Sequence, residues 1–168
     1  EVTVTVYGRD DAILLDSTDA RVVQITEDGV NFNTNEDNRA SQTASGTFEV
    51  TPVDNPVDEN GVNHLVYGFT DPDGTFHAWS VKVMQDGKTY GTLTIDAQGR
   101  YTFTLADNAE VNALDAGELL TLTGYGLAVW DDRHADDMIT GQKLDLYIHG
   151  SNDRPYFTVD GMDGDEIV

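Results

Sequence analysis

Apolar and polar residues alternate at period two along most of this chain. The opening stretch "EVTVTVYG" puts Val2, Val4 and Val6 on one face of an extended strand and ends at Gly8. After the linker "RDDAILLDSTDA", "RVVQIT" predicts a second strand over 21–26, stopped by the turn signal "EDG" at 27–29. The polar segment "NFNTNEDNRASQTAS" at 31–45 carries neither the strand nor the helix period and reads as a loop. From residue 46 onward the pattern is a meander of "GTFEVTPV", "NHLVYGFT", "HAWSVKVM", "KTYGTLTI" and "RYTFTLA". The separators "DNPVDENG", "DPDG", "QDG" and "DAQG" supply Gly where a tight turn needs positive φ. They also supply Asp or Asn where a side chain can hydrogen-bond its own turn. Hairpins are therefore the expected connections.

The one helical candidate is "NAEVNALDAGE" at 108–118, whose Val111 and Leu114 stand at i, i+3 and which is long enough for only a turn or two. Two longer strands, "LLTLTGYGLAVW" and "QKLDLYIHG", flank the acidic loop "DDRHADDMITG", and the glycines of "GYG" at 124–126 predict a bulge. About seven to nine short strands with turn signals roughly every ten residues predict an all-β fold, an antiparallel Greek-key β-sandwich with long loop insertions. No crossover helices exist to support a parallel α/β sheet. In such a sandwich Trp79, Trp130, Tyr101 and Phe103 are expected in the core, the rival role being a carbohydrate platform.

Composition narrows the function. With 31 Asp and Glu against 9 Lys and Arg the net charge is 9 − 31 = −22, which argues against nucleic acid as a partner because phosphate binding needs cations. An acidic coat of this strength repels itself unless cations or salt neutralise it, so divalent-ion binding or a saline medium is implied. The absence of cysteine removes disulfides and thiolate metal sites. No run of about 18 apolar residues exists and residues 1–12 lack the basic and apolar regions of a secretory signal, so neither membrane insertion nor a Sec signal is expected. At 168 residues one core is sufficient and a monomer is expected.

The two ends echo each other. Placing Gly8 of "VTVYGRDDA" on Gly150 of "LYIHGSNDRP" aligns Val4 with Leu146, Val6 with Ile148, Asp10 with Asn152 and Asp11 with Asp153, an offset of 150 − 8 = 142 residues. That offset suits a tandem array of sandwich domains. The expected division is 1–12 as the closing strand and linker of a preceding repeat, 13–155 as one repeat, and 156–168 as the start of the next unit or a tail. The chain then reads as a piece of something longer.

Within that frame, "YGTLTIDAQGRYTFTLADNAEVNALDAGELLTLTGYGLAVWDD" followed by "LDLYIHGSNDRP" resembles the VCBS-type repeats of giant bacterial RTX-type adhesins, which are cadherin-like or immunoglobulin-like domains. "ITEDG" at 25–29 is similar to the family's opening strand, and "ALDAGE" at 113–118 and the closing "GSNDRP" stand in the family's order. The chain departs at "TPVDNP", where Pro52 replaces the first Asp of an expected Asp-x-Asp and only Asp54 fits. The resemblance implies an extender domain of a secreted, cell-surface adhesin, exported by a type I system and acting in cell adhesion and biofilm formation. Its partners would be neighbouring repeats of the same chain, with surface glycans or peptides reached through the parent protein. The alternative is a carbohydrate- or peptide-binding module of the same adhesin.

The implied cofactor is calcium in the interdomain linkers. Calcium takes six to eight oxygen ligands at flexible geometry, which Asp, Glu, Asn and carbonyls supply. The candidate ligands are Asp10, Asp11, Glu27 and Asp28 for the N-terminal joint, and Asp131, Asn152 and Asp153 for the C-terminal one. "TDPDG" at 70–74 lacks the distal Glu of a calcium loop and reads as a plain turn. "DDRHADD", with His134 among Asp131, Asp132, Asp136 and Asp137, is a weak zinc signal. No nucleophile elbow and no zinc-protease motif occur, so no enzyme activity is expected.

Overall fold

The computed structural model describes residues 13–15, 21–27, 43–51, 57–133 and 138–151. Among them the chain forms β1 (Leu14–Leu15), β2 (Arg21–Thr26), β3 (Thr43–Thr47), β4 (Val50–Thr51), β5 (Leu65–Thr70), β6 (Phe76–Ala78), β7 (Ser80–Gln85), β8 (Lys88–Ile95), β9 (Arg100–Leu105), β10 (Leu119–Asp131) and β11 (Ile139–His149). Two sheets face each other, one ordered β2-β11-β10-β5-β6 and the other β3-β9-β8-β7, with β1 and β4 paired apart. The fold is an all-β sandwich. Every pairing is antiparallel except β2 with β11, which run parallel from Arg21 opposite Leu144 to Thr26 opposite His149.

Alternation explains the core. Inward positions of both sheets, among them Phe69, Val83, Leu93, Phe103, Leu127, Leu144, Leu146 and Ile148, are fully buried. The predicted bulge is present: the β10–β11 register shifts between Leu122 and Tyr125, and Gly124 has φ +90°. The segment at 108–118 forms turns and no helix. Asn108 organises it, accepting from the Val111 amide at 3.0 Å and donating to the Thr89 carbonyl at 2.7 Å, so that buried Val111 and Leu114 plug one end of the core.

Three turns repeat one device. In "DENG", "DPDG" and "DAQG", Oδ1 of Asp58, Asp71 and Asp96 accepts the amides two and four residues on, while Gly61, Gly74 and Gly99 take positive φ. Oδ2 of each faces a nitrogen-bearing side chain: His64 at 3.5 Å, His77 at 2.9 Å and Arg100 at 2.7 Å respectively. At Gly99 the demand is double, because an added Cβ would also lie 2.4 Å from the Phe48 carbonyl oxygen.

Several expectations need correction. Strand β3 begins at Thr43, inside the segment read as loop, because a backbone ladder to β9 needs no apolar side chains. "HAWSVKVM" is two strands on different sheets. Trp79 stands between them at φ +67°, donating its amide to the Tyr67 carbonyl on one sheet while its own carbonyl accepts from Ile95 on the other. Tyr101 and Phe103 are core residues as expected, but Trp79 is 41% exposed. Trp130 points to the outer face of the five-stranded sheet, where its ring lies 4.5 Å from that of Phe76. The opening strand at 2–6, Asp28 and Gly29 of the "EDG" turn, and the loop at 134–137 lie outside the described residues.

Candidate functional site

Strand β11 leaves the sandwich at the end plugged by Val111 and Leu114. Its last hydrogen-bonded position, His149, accepts the Glu27 amide at 2.9 Å, and Gly150 donates to the Glu118 carbonyl at 2.9 Å. Gly150 is obligatory at this exit, since a Cβ there would lie 2.2 Å from the Asp115 carbonyl oxygen. The next amide, that of Ser151, donates to Oε1 of Glu27 at 2.8 Å. Because β2 runs parallel to β11, Glu27 arrives at the same pole as the exit and lies just past the last core residue of its strand, Ile25. Its side chain is 2% exposed. A carboxylate held that far from water needs polar partners, and the Ser151 amide is one of them. Two further carboxylates mark this pole, Asp115 and Glu118, linked by the Asp115 amide donating to Oε2 of Glu118 at 3.1 Å.

This geometry redistributes the candidate ligands. Glu27, expected at the N-terminal joint with Asp10 and Asp11, stands at the C-terminal exit, one residue from Asn152 along the contact to Ser151. Asp131 is the reverse case. It closes β10 opposite Leu65, while Leu119 at the other end of the same strand pairs with His149. Twelve residue steps of strand separate the two ends by about 40 Å. Asp131 therefore stands at the pole opposite the strand exit at Ser151. It is 9% exposed and gripped by Arg133, whose amide and Nε donate to Oδ1 at 3.0 and 2.8 Å and whose Nη2 reaches Oδ2. Asp10, Asp11, Asp28, Asn152 and Asp153 lie outside the described residues.

Calcium fits the chemistry of the exit pole in one respect, the buried carboxylate aimed at the strand exit; the remaining oxygens would come from Asp28, Asn152 and Asp153. Among the described residues no three His, Asp or Glu side chains converge on one point as a metal cage. The opposite pole carries a different constellation. His64 Nδ1 lies 2.6 Å from Oδ1 of Asp132, Nε2 lies 3.5 Å from Oδ2 of Asp58, and the Asp132 amide donates to the His64 carbonyl at 2.9 Å. A carboxylate only accepts, so an imidazole set between two of them has its protonated form favoured. The Asp132 and Asp58 hydrogen bonds accordingly raise the His64 pKa above 6.5, against partial desolvation. This pairing has no signal in sequence, because 68 residues separate His64 from Asp132.

Strand β7 ends the four-stranded sheet, and its free edge is closed from the other sheet. The Tyr125 hydroxyl accepts the Met84 amide at 2.7 Å and donates to the Met84 carbonyl at 3.2 Å. An open groove of about 610 Å³ lies beside it, lined by Asp71, His77, Lys82, Met84, Asp86 and Tyr125. No family model matches the chain, and no curated protein matches it. Among the described residues no helix is long and apolar enough to cross a membrane.

Proposed function

We propose that the chain is a calcium-stiffened extender repeat of a large secreted, cell-surface bacterial adhesin. The observation that carries this reading is the bond from the Ser151 amide to the buried Glu27 carboxylate, which ties a carboxylate of the domain body to the strand exit running into Asn152 and Asp153. An ion bound by Glu27, Asp28, Asn152 and Asp153 together would couple the body to the linker and oppose bending there, since its binding energy is lost whenever the linker swings away. The net charge of −22 supports the same reading, because divalent cations relieve the self-repulsion of so acidic a chain. Export by a type I system and a role in adhesion and biofilm formation follow from the sequence resemblance.

The test is thermal unfolding in calcium, magnesium and chelator, with Asp153→Ala alongside. Calcium should raise the midpoint with concentration, magnesium much less, and Asp153→Ala should lose most of the calcium response. Equal rises in calcium, magnesium and plain salt would replace the specific joint with a general acidic coat.

A further inference from the structure

The outer face of the four-stranded sheet carries a regular array of hydroxyls. Reading across β3, β9, β8 and β7 in register, one row is Ser45, Thr102, Thr94 and Ser80, and the next is Thr43, Thr104, Thr92 and Lys82. Seven of these eight outward positions are Ser or Thr, and all are exposed or half-exposed. Neighbours in a row stand about 4.8 Å apart and the rows about 6.7 Å apart, as strand spacing and alternation dictate. In a chain with 31 acidic residues, neither row contains one, and the only charge in them is Lys82. The row of Ser45 and Thr102 borders an open depression of about 510 Å³, whose lining includes Ile95 and the Arg100–Asp96 ion pair.

We propose that this face docks a neutral, hydroxyl-rich polymer, that is, an uncharged polysaccharide. A hydroxyl can both donate and accept, which matches a ligand made of hydroxyls; that of Thr94 donates to the Thr102 carbonyl at 3.4 Å and offers a ligand its acceptor side. The ion pair beside them offers planar polar groups of the kind that engage adjacent sugar hydroxyls. Charge selects the occupant: an acidic polymer is repelled by a body of −22, whereas a neutral one is not, and the rows contribute no carboxylate of their own. Single hydroxyl contacts are weak, but a polymer crossing several of them on successive repeats gains by effective concentration. The proposal goes beyond the extender reading and is independent of the calcium joint.

The experiment is retention of the purified chain on cross-linked dextran and on cellulose, with alginate as the acidic control, each in calcium and in chelator. The expected result is retention on at least one neutral polymer in both conditions and none on alginate. Thr94→Val/Thr102→Val, which keeps shape and strand preference, should weaken retention about tenfold, and Thr121→Val on the other sheet should leave it unchanged. If the first pair lowers the melting temperature, Thr92→Val/Thr104→Val gives the same readout on the second row. Absence of retention on any neutral polymer, retention on alginate alone, or undiminished retention of a folded double variant would overturn the proposal. So would concentration-dependent self-association abolished by the same variants, which would make a second copy the occupant. Loss of the calcium response with neutral-polymer retention intact would sink the extender reading alone.

Discussion

Ser151 donates its backbone amide to Oε1 of Glu27 across 2.8 Å, joining two positions 124 residues apart at the place where the last strand leaves the sandwich. Gln in place of Glu27 keeps that acceptor and removes the buried charge. In chelator, Glu27→Gln should therefore unfold close to the wild-type temperature, since the Ser151 amide keeps its acceptor. In calcium the wild type should pull ahead, because it alone gains stability from ion binding. At one hundred times the dissociation constant that gain is about 2.7 kcal/mol, or roughly 5–10 °C for a domain of this size. Differential scanning calorimetry of both proteins in both conditions is sufficient, and parallel behaviour of the two would remove Glu27 from the joint.

Tyr125 gives the free edge of β7 its only partner from the opposite sheet among the described residues, through both the amide and the carbonyl of Met84. Tyr125→Phe leaves the ring in the core and removes the hydroxyl. The expected cost is about 1–2 kcal/mol for two backbone groups that lose their partner. An unblocked strand edge also invites pairing with another chain. Light scattering of Tyr125→Phe under mild heating should show association at temperatures where the wild type stays clear.

The strands with clean alternation and a turn signal at each end were legible before the structure. β2, β8 and β9 begin and end where Val23, Leu93 and Phe103 and the "DAQG" turn put them, and the bulge at Gly124 was readable from "GYG". What the pattern concealed is long-range. The parallel pairing of β2 with β11 depends on contacts between residues more than a hundred positions apart, and it alone moves Glu27 to the exit pole. The distance of Asp131 from the strand exit at Gly150 follows from the length of β10, which the reading of "LLTLTGYGLAVW" as one strand already contained, whereas the antiparallel register that puts Leu119 beside His149 was not legible. The hydroxyl rows are an effect of register: Thr92, Thr94, Thr102 and Thr104 are visible in the chain, but only pairing places Ser45, Thr43 and Ser80 beside them.

Trp79 holds φ +67° where the chain changes sheets, and its side chain is 41% exposed. Alternation across "HAWSVKVM" is uninterrupted, so nothing local announces the switch. A left-handed backbone costs a non-glycine residue about 1 kcal/mol or more, most of all a β-branched one. Trp79→Gly relieves that strain at the loss of a half-exposed ring, whereas Trp79→Val loses the ring and deepens the strain. Urea unfolding should rank Trp79→Gly above Trp79→Val by at least about 1 kcal/mol. The opposite order would mean that the indole contacts, and not the backbone conformation, decide stability here.

Stability should depend on pH through the His64–Asp58–Asp132 clamp at the pole opposite the exit. The Val62 amide, with the Asn60 amide and side chain and His64 behind it, holds the Asp58 carboxyl down to about 2 from 3.8. A depressed carboxyl stabilises the fold above its unfolded pKa, so this contribution is complete above about pH 4 and is lost as the pH falls toward 2. His64 has the opposite sign. Asp132 raises it above 6.5, so its contribution is complete below 6.5 and is lost as the pH climbs through the folded value. Asp71, lowered chiefly by His77, and Asp96, lowered chiefly by the Arg100 amide, add to the acid limb. Stability should therefore peak between about pH 4 and 6.5 and decline on both sides. His64→Gln should flatten mainly the alkaline limb, with a smaller effect on the acid one because the ring helps to lower Asp58, and Asp58→Asn should flatten mainly the acid one, with a smaller effect above pH 6.5 because it also removes one of the two carboxylates beside the imidazole. Urea midpoints measured from pH 3 to 9 read both limbs, and the His64 ring proton shifts in NMR follow the same titration directly. An alkaline decline that persists unchanged in His64→Gln would show that the clamp contributes nothing to folding.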